Sequence, residues 1–280
     1  MQTTRLAILV LVVVSTHRIG EVNAQGRYTI AHPTPRDEMR PLSSDRPDMT
    51  ESAFSIDPGH VQLETDIASV TFSNEPGLRT RRIAVGTTNV RIGLTPRVDF
   101  QIVLTPFTHV RTDVPSQQPV RSSGFEDVVL RTKINLVGND SGNVGIGLLP
   151  FISIPVGAPH VFRGQRVGMG LAIPMTFALP GDVGLGAMVQ GEMLDGETQK
   201  YAYELLATLT ASHSIVGDLA GFVEVASTAH FEDDYSVNFE VHGGLTYLVT
   251  PAFQMDCGVY STVVGPGDDV FGFVGFVLRH

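Results

Sequence analysis

"VGMGLAIPMTFAL", residues 167–179, alternates without a break. Val167, Met169, Leu171, Ile173, Met175, Phe177 and Leu179 fall on one face of an extended chain. Gly168, Gly170, Ala172, Pro174, Thr176 and Ala178 fall on the other. Large apolar side chains set against small ones with a period of two describe a strand, not a helix. These thirteen residues outrun the usual globular strand of about 5–6. One crossing of a bilayer by a tilted strand takes about 9–11.

The same pattern recurs elsewhere. "VDFQIVLT" sets Val98, Phe100, Ile102 and Leu104 against Asp99, Gln101 and Thr105. "VVLRTKINL" sets Val128, Leu130, Thr132, Ile134 and Leu136 against Arg131, Lys133 and Asn135. "VNFEVHGGLTY" sets Val237, Phe239, Val241, Leu245 and Tyr247 against Asn238, Glu240, His242 and Thr246. About twelve such segments begin near residues 60, 81, 97, 125, 143, 167, 183, 201, 218, 235, 252 and 269, and no amphipathic helical stripe interrupts them.

Their connections alternate between short turns ("TPR", "PGD", "VGD", "TPA", and the slightly longer "GNDSGN") and longer polar loops ("SNEPGLR", "TDVPSQQPVRSSG", "VGAPHVFRGQR", "LDGETQK", "VVGPGDD"). The spacing predicts an all-β fold: a transmembrane, antiparallel, up-and-down β-barrel of about twelve strands. Closure removes the open edges that so many strands would leave. A soluble β-sandwich or barrel with one wet face is the competing fold. The faces opposite the apolar sets are rich in Gly, Ala and Thr as well as charge, which suits a narrow lumen better.

The ends of the chain agree with export. Arg5 precedes the apolar run "LAILVLVVV", and small residues surround Ala24, so residues 1–24 read as a signal peptide cleaved after Ala24. Residues 25–57 are rich in Pro and charge without a period and read as an extended arm or plug on the periplasmic side. The barrel occupies residues 58–280, with both termini expected in the periplasm of a Gram-negative-type cell.

The 280 residues carry a formal net charge of −10, with no run of Lys or Arg, which argues against nucleic acid as a partner. The single cysteine, Cys257, excludes a disulfide framework and a multi-cysteine metal site. The nine His residues are scattered, with no ligand spacing beyond Glu240 and His242, so no metal or other cofactor is expected. A lipid hydrolase would need a strand pairing of Ser and His. "ASHS" gives only Ser212, His213 and Ser214, whose neighbours point to opposite faces. No catalytic residue is assigned.

If apolar residues face lipid, Arg91, Arg131 and Lys133 point inward from the second and fourth strands, accompanied by Asp99 and Asp127. Glu192, Glu204, Glu224 and Glu240 point inward from the seventh to the tenth, with His242 beside the last. Either these walls orient solutes in an open lumen, or the charges pair with one another or bind the arm.

"DRPDMTES" followed by "DPGHVQLE" places Asp45, Arg46, Pro47, Asp48, Thr50, Ser52, Pro58, Gly59, Gln62 and Glu64 in one motif. It resembles the start of a family of outer-membrane β-barrel transporters labelled as MetA-pathway-type proteins of phenol meta-cleavage. "GFEDVVLRTKINL" and "PFISIPVG" are weaker matches. The resemblance implies an outer-membrane channel or transporter for small solutes, aromatic or hydrophobic among them. The closing "GFVLRH", with Gly275, Phe276 and Leu278, approaches an assembly signal but ends in His280 rather than an aromatic residue. Expected partners are therefore outer-membrane lipid and lipopolysaccharide, the barrel assembly machinery through the last strand, and a small-molecule solute. A closed structural or adhesive barrel is the alternative, with an outer-membrane lipid hydrolase third.

Overall fold

A computed structural model describes residues 28–158, 166–195, 201–232 and 235–280. The expected signal peptide lies outside these residues. The strands are β1 (Val61–Glu75), β2 (Leu78–Thr95), β3 (Val98–Leu104), β4 (Phe107–Asp113), β5 (Val120–Gly124), β6 (Val128–Val137), β7 (Val144–Ile154) and β8 (Gly168–Leu179). There follow β9 (Val183–Asp195), β10 (Tyr201–Val216), β11 (Leu219–Phe231), β12 (Tyr235–Val237), β13 (Phe239–Thr250), β14 (Phe253–Val264) and β15 (Val270–Arg279). Among the described residues there is no α-helix, only a short 3-10 turn at Arg36–Glu38.

Twelve of these strands close a barrel in the order β1-β15-β14-β13-β11-β10-β9-β8-β7-β6-β3-β2, with β2 returning to β1. Every pairing is antiparallel, so no ladder edge around the ring is left open. The remaining three strands are extensions. β4 and β5 continue the β2 sheet beyond β3, after a break at Pro106, which has no N–H to give a ladder. β12 continues β13 across a break at Asn238.

The alternation that predicts the fold also sets its inside and outside. In β8, Met169, Leu171 and Ile173 are exposed at 47%, 42% and 37%, while Ala172 is fully buried. The greasy face is therefore the outer surface, as a lipid-facing wall requires. Val223, Val259 and Val274 continue that band on β11, β14 and β15. One connection departs from the expected pattern. "SNEPGLR" is not a long loop: the ladder runs to Glu75↔Leu78, leaving only Pro76 and Gly77 at the turn. β1 and β2 therefore stand higher than their neighbours, and β4 and β5 join them in a protruding wall.

The start of the first strand and the end of the last meet at the opposite rim, which we call the terminus end. Val61 and His280 exchange backbone hydrogen bonds of 3.2 and 2.8 Å. His60 adds ring contacts to the carbonyls of His280 (3.0 Å) and Thr34 (2.8 Å). Gly59 turns the chain into β1 with φ 76°, and a Cβ there would lie 2.7 Å from Pro33. That approach is open only to glycine.

Candidate functional site: the filled lumen

Residues 43–56 run inside the barrel and bond to strands on all sides of it. The inward charges explain why. Arg91 and Lys133 are completely buried, and an unpaired buried cation is prohibitively costly. Arg91 reaches Asp99 on β3 at 2.8 Å, Glu64 on β1 at 3.1 Å and Asp45 of the arm at 3.1 Å. Lys133 on β6 pairs with Asp45 and lies 3.5 Å from Glu51. Arg131 pairs with Glu51 and lies 3.6 Å from Asp45. The barrel's basic wall is thus closed by two carboxylates that the arm brings to it.

Burial alone would raise the Asp45 carboxyl; Arg91, Lys133 and Arg131 together hold it well below the usual carboxylate range. Burial pushes the Glu51 carboxyl up to about 7, with the charge of Asp45 adding to the rise and Arg131 opposing it.

On the opposite side the arm is held by acids of the barrel. Glu224 on β11 accepts the Met49 and Thr50 amides at 2.8 Å each, and the Thr50 hydroxyl at 2.5 Å. The same hydroxyl lies 2.6 Å from that of Thr208 on β10. His242 on β13 stands between Glu224 (2.6 Å) and Glu240 (2.9 Å) and stacks on Tyr260 of β14 at 3.9 Å. Burial and the charge of Glu224 push the Asp48 carboxyl up to about 7.

Arg46 extends to a third side. Its guanidinium meets Asp66 of β1 at 2.5 Å and Asp256 of β14 at 2.6 Å, and lies over the Phe273 ring at 5.0 Å. Burial alone would lower its basicity; the two aspartates outweigh that and raise it. Tyr260 donates its hydroxyl to the Pro47 carbonyl.

Backbone contacts complete the fit. Arg91 donates to the Phe54 carbonyl at 2.8 Å, Asn135 to that of Ala53 at 2.9 Å, and Ile56 N–H to Asp99 at 3.0 Å. Gln62 bonds the Ser43 carbonyl at 2.8 Å and Glu64 at 2.7 Å. Small inward residues make room for this. A Cβ on Gly145 would lie 2.7 Å from the Phe54 ring, and one on Gly275 would lie 2.1 Å from the Arg46 guanidinium.

The remaining expected lumen residues lie apart from this network. Glu204 faces Glu192 across the β10–β9 ladder and meets His230 at 2.7 Å. Together with Glu240 and Asp268, Glu204 lines a cavity of about 680 Å³ towards the loop end. Asp127 takes a different place: it precedes β6 and accepts the Gly157 amide at 3.0 Å, tying one connection to another. At the terminus end a second cavity, of about 380 Å³, lies among Arg40, Asp57, Arg279 and the turn at 138–142. Residues 45–53 occupy the barrel between them.

Sequence reasoning singled out the Asp45–Glu64 motif but not its individual partners. Ion pairs such as Arg46–Asp256 join positions 210 apart, and no local spacing signals them. The inward parity of Asp66 and Asp256 was the only available hint.

Solved structures resemble this architecture. A crystal structure of an outer membrane channel from Pseudomonas putida F1 matches with a TM-score of 0.62 at 12% identity, covering 85% of this chain and all of that one. The β domain of the Bordetella autotransporter BrkA matches at a TM-score of 0.50 and 11% identity, covering 79% of this chain and 98% of that one. At these identities the likeness is one of fold. No curated protein matches the sequence. A family model matches residues 44–280, from the lumen-filling motif to the last strand, and the chain accordingly belongs to the family described as "Putative MetA-pathway of phenol degradation".

Proposed function

We propose that this barrel is an outer-membrane channel for small solutes and that residues 28–57 are its removable plug. The observation that carries the reading is the origin of the charges that fill the lumen. A barrel built only as a scaffold would close its interior with side chains of its own strands. Here Arg91, Arg131 and Lys133 find part of their counter-charge on a separate segment, Asp45 and Glu51. Withdrawal of that segment leaves a polar, charged passage between the two cavities.

In this reading the arm enters from the periplasmic side, insertion into the outer membrane follows export and removal of residues 1–24, and the last strand is read by the assembly machinery. Aromatic and other hydrophobic solutes are the class the family description favours. The chemistry is passage without reaction. Thr50, Glu224 and His242 do line up, but the imidazole lies beyond the carboxylate and cannot take the hydroxyl proton.

The number of bonds on the arm favours a second reading, a permanently closed structural barrel. Planar-bilayer recording of the mature protein, intact and lacking residues 25–57, separates the two. Discrete conductance steps that become frequent on deletion support the channel. Silence of both forms, from protein that migrates as a folded barrel, would leave the closed barrel.

A further inference from the structure

The wall that stands above the barrel carries a row of cations that only strand pairing assembles. Arg81 on β2 is directly opposite Arg111 on β4, and Arg111 is directly opposite Arg121 on β5. Like charges placed opposite one another across a ladder destabilise it. One acid serves the row: Asp113 pairs with Arg111 at 2.8 Å and lies within Coulombic reach of Arg121 and Arg81. Arg81 and Arg121 are both exposed. On a chain of net charge −10 this is a conspicuous local excess of positive charge.

The row also has a defined height and direction. Along β2, Arg82 and Ala84 point inward, Arg82 pairing with Glu126 inside the barrel. Arg81, Ile83 and Val85 therefore point outward. Their ladder neighbours Phe72, Val70 and Ala68 on β1 and Phe107 on β4 continue the apolar band. Arg81 stands two and four positions from Ile83 and Val85, so roughly 7 and 13 Å along the strand. The guanidinium groups thus emerge outside the barrel, immediately above lipid-facing wall. Beside them the Ser123 hydroxyl and the His109 ring, 2.7 Å apart, offer hydrogen bonds at the level of Ile83.

We infer that Arg81, Arg111 and Arg121 form a docking surface for the phosphorylated sugar headgroup of an outer-leaflet glycolipid, whose acyl chains lie against Val70, Phe72, Ile83 and Phe107. Guanidinium groups bind phosphate through paired charge-assisted hydrogen bonds. A bridging phosphate relieves the like-charge contacts that the register imposes. This rests on the loop end facing outward in the outer membrane, but not on whether the lumen conducts.

The test uses the full mature protein in detergent, with binding of bisphosphorylated lipid A, monophosphorylated lipid A and phosphatidylglycerol measured by native mass spectrometry. The wild-type protein should bind the bisphosphorylated form tightest. The variant R81Q/R111Q/R121Q, changed only on the outward face, should lose about tenfold or more of that affinity and much of its salt dependence. Asp113→Ala, which removes the competing acid, should tighten binding severalfold. Unchanged binding by the folded triple variant would overturn the proposal. So would equal binding of phosphatidylglycerol, which would make the surface a general anionic one. If the triple variant does not fold, failure of Asp113→Ala to tighten binding overturns it. Surface labelling of the loop end on whole cells checks the outward orientation separately.

Discussion

Asp256 of β14 receives the Arg46 guanidinium at 2.6 Å, joining the arm to a strand 210 positions later in the chain. The Asp256 side chain is completely buried, so the pair is shielded from solvent. Removing one member of a buried pair leaves an uncompensated charge and costs on the order of 3–5 kcal/mol. Arg46→Gln should therefore loosen the arm while leaving the strand ladders intact. We expect openings in bilayer recordings to become at least tenfold more frequent. The double variant R46Q/D256N should recover part of the loss. Traces indistinguishable from wild type would show that this pair does not hold the arm.

Docking of the arm should also depend on pH, with a defined sign. The Asp48 and Glu51 carboxyls are both raised to about 7 when the arm is docked. The docked state therefore binds more protons than the released one, and docking weakens as pH rises from about 4 to about 7. Asp45 is depressed and works the other way, its contribution being lost only as pH falls below its ordinary value of 3.8. Asp48 faces Glu224, Thr210 and Glu51, and Glu51 faces Asp45, Arg131 and Lys133. Limited proteolysis of the arm at pH 5, 7 and 8.5 should show rising cleavage. Asp48→Asn should flatten that rise; a rise of the same steepness would assign the effect elsewhere.

Steric release offers a charge-neutral check. Gly145→Leu places a side chain where the Phe54 ring now lies, since even a Cβ would sit 2.7 Å from it. The barrel should still fold and show heat-modifiable migration, while the arm becomes accessible to protease. Loss of the folded band instead would mean that the arm is required for the barrel to form.

The outer band makes an independent prediction. Val259 is 55% exposed near the middle of β14 and points away from the lumen. Val259→Arg should lower stability in a bilayer by about 2–4 kcal/mol, the usual cost of a guanidinium at mid-depth on a barrel. Denaturant titration in liposomes reads it directly. A change below about 0.5 kcal/mol would place this face in water.

The ring of strands was legible because period-two alternation is local: Met169, Leu171 and Ile173 declare their face within a few residues. The breaks at Pro106 and Asn238 were not, since a strand that changes partners keeps its alternation. The tight turn at Pro76–Gly77 reads as a longer loop because "SNEPGLR" is polar; polarity does not distinguish a loop from a strand that stands clear of the bilayer. Arg91, Lys133 and Glu224 could be placed inward by parity, but their partners could not be known, because Asp45 and Thr50 are joined to them by tertiary packing alone. Asp127, placed inward by the same parity, instead holds a connection at Gly157. The arginine row at 81, 111 and 121 escaped for the related reason that no stretch of sequence contains it.

The position of Arg46 has one more implication, for assembly. β15 comes last in chain order among the described strands and closes the ring by pairing with β1, the first. Arg46 lies over Gly275 of β15 and binds acids on the strands to either side, β1 and β14. It therefore acts as an internal rivet across the joint that completes the cylinder. Seating the segment therefore fastens a joint that the β1–β15 ladder alone also closes, so a barrel whose N-terminal segment has withdrawn keeps its ring but has an unfastened seam.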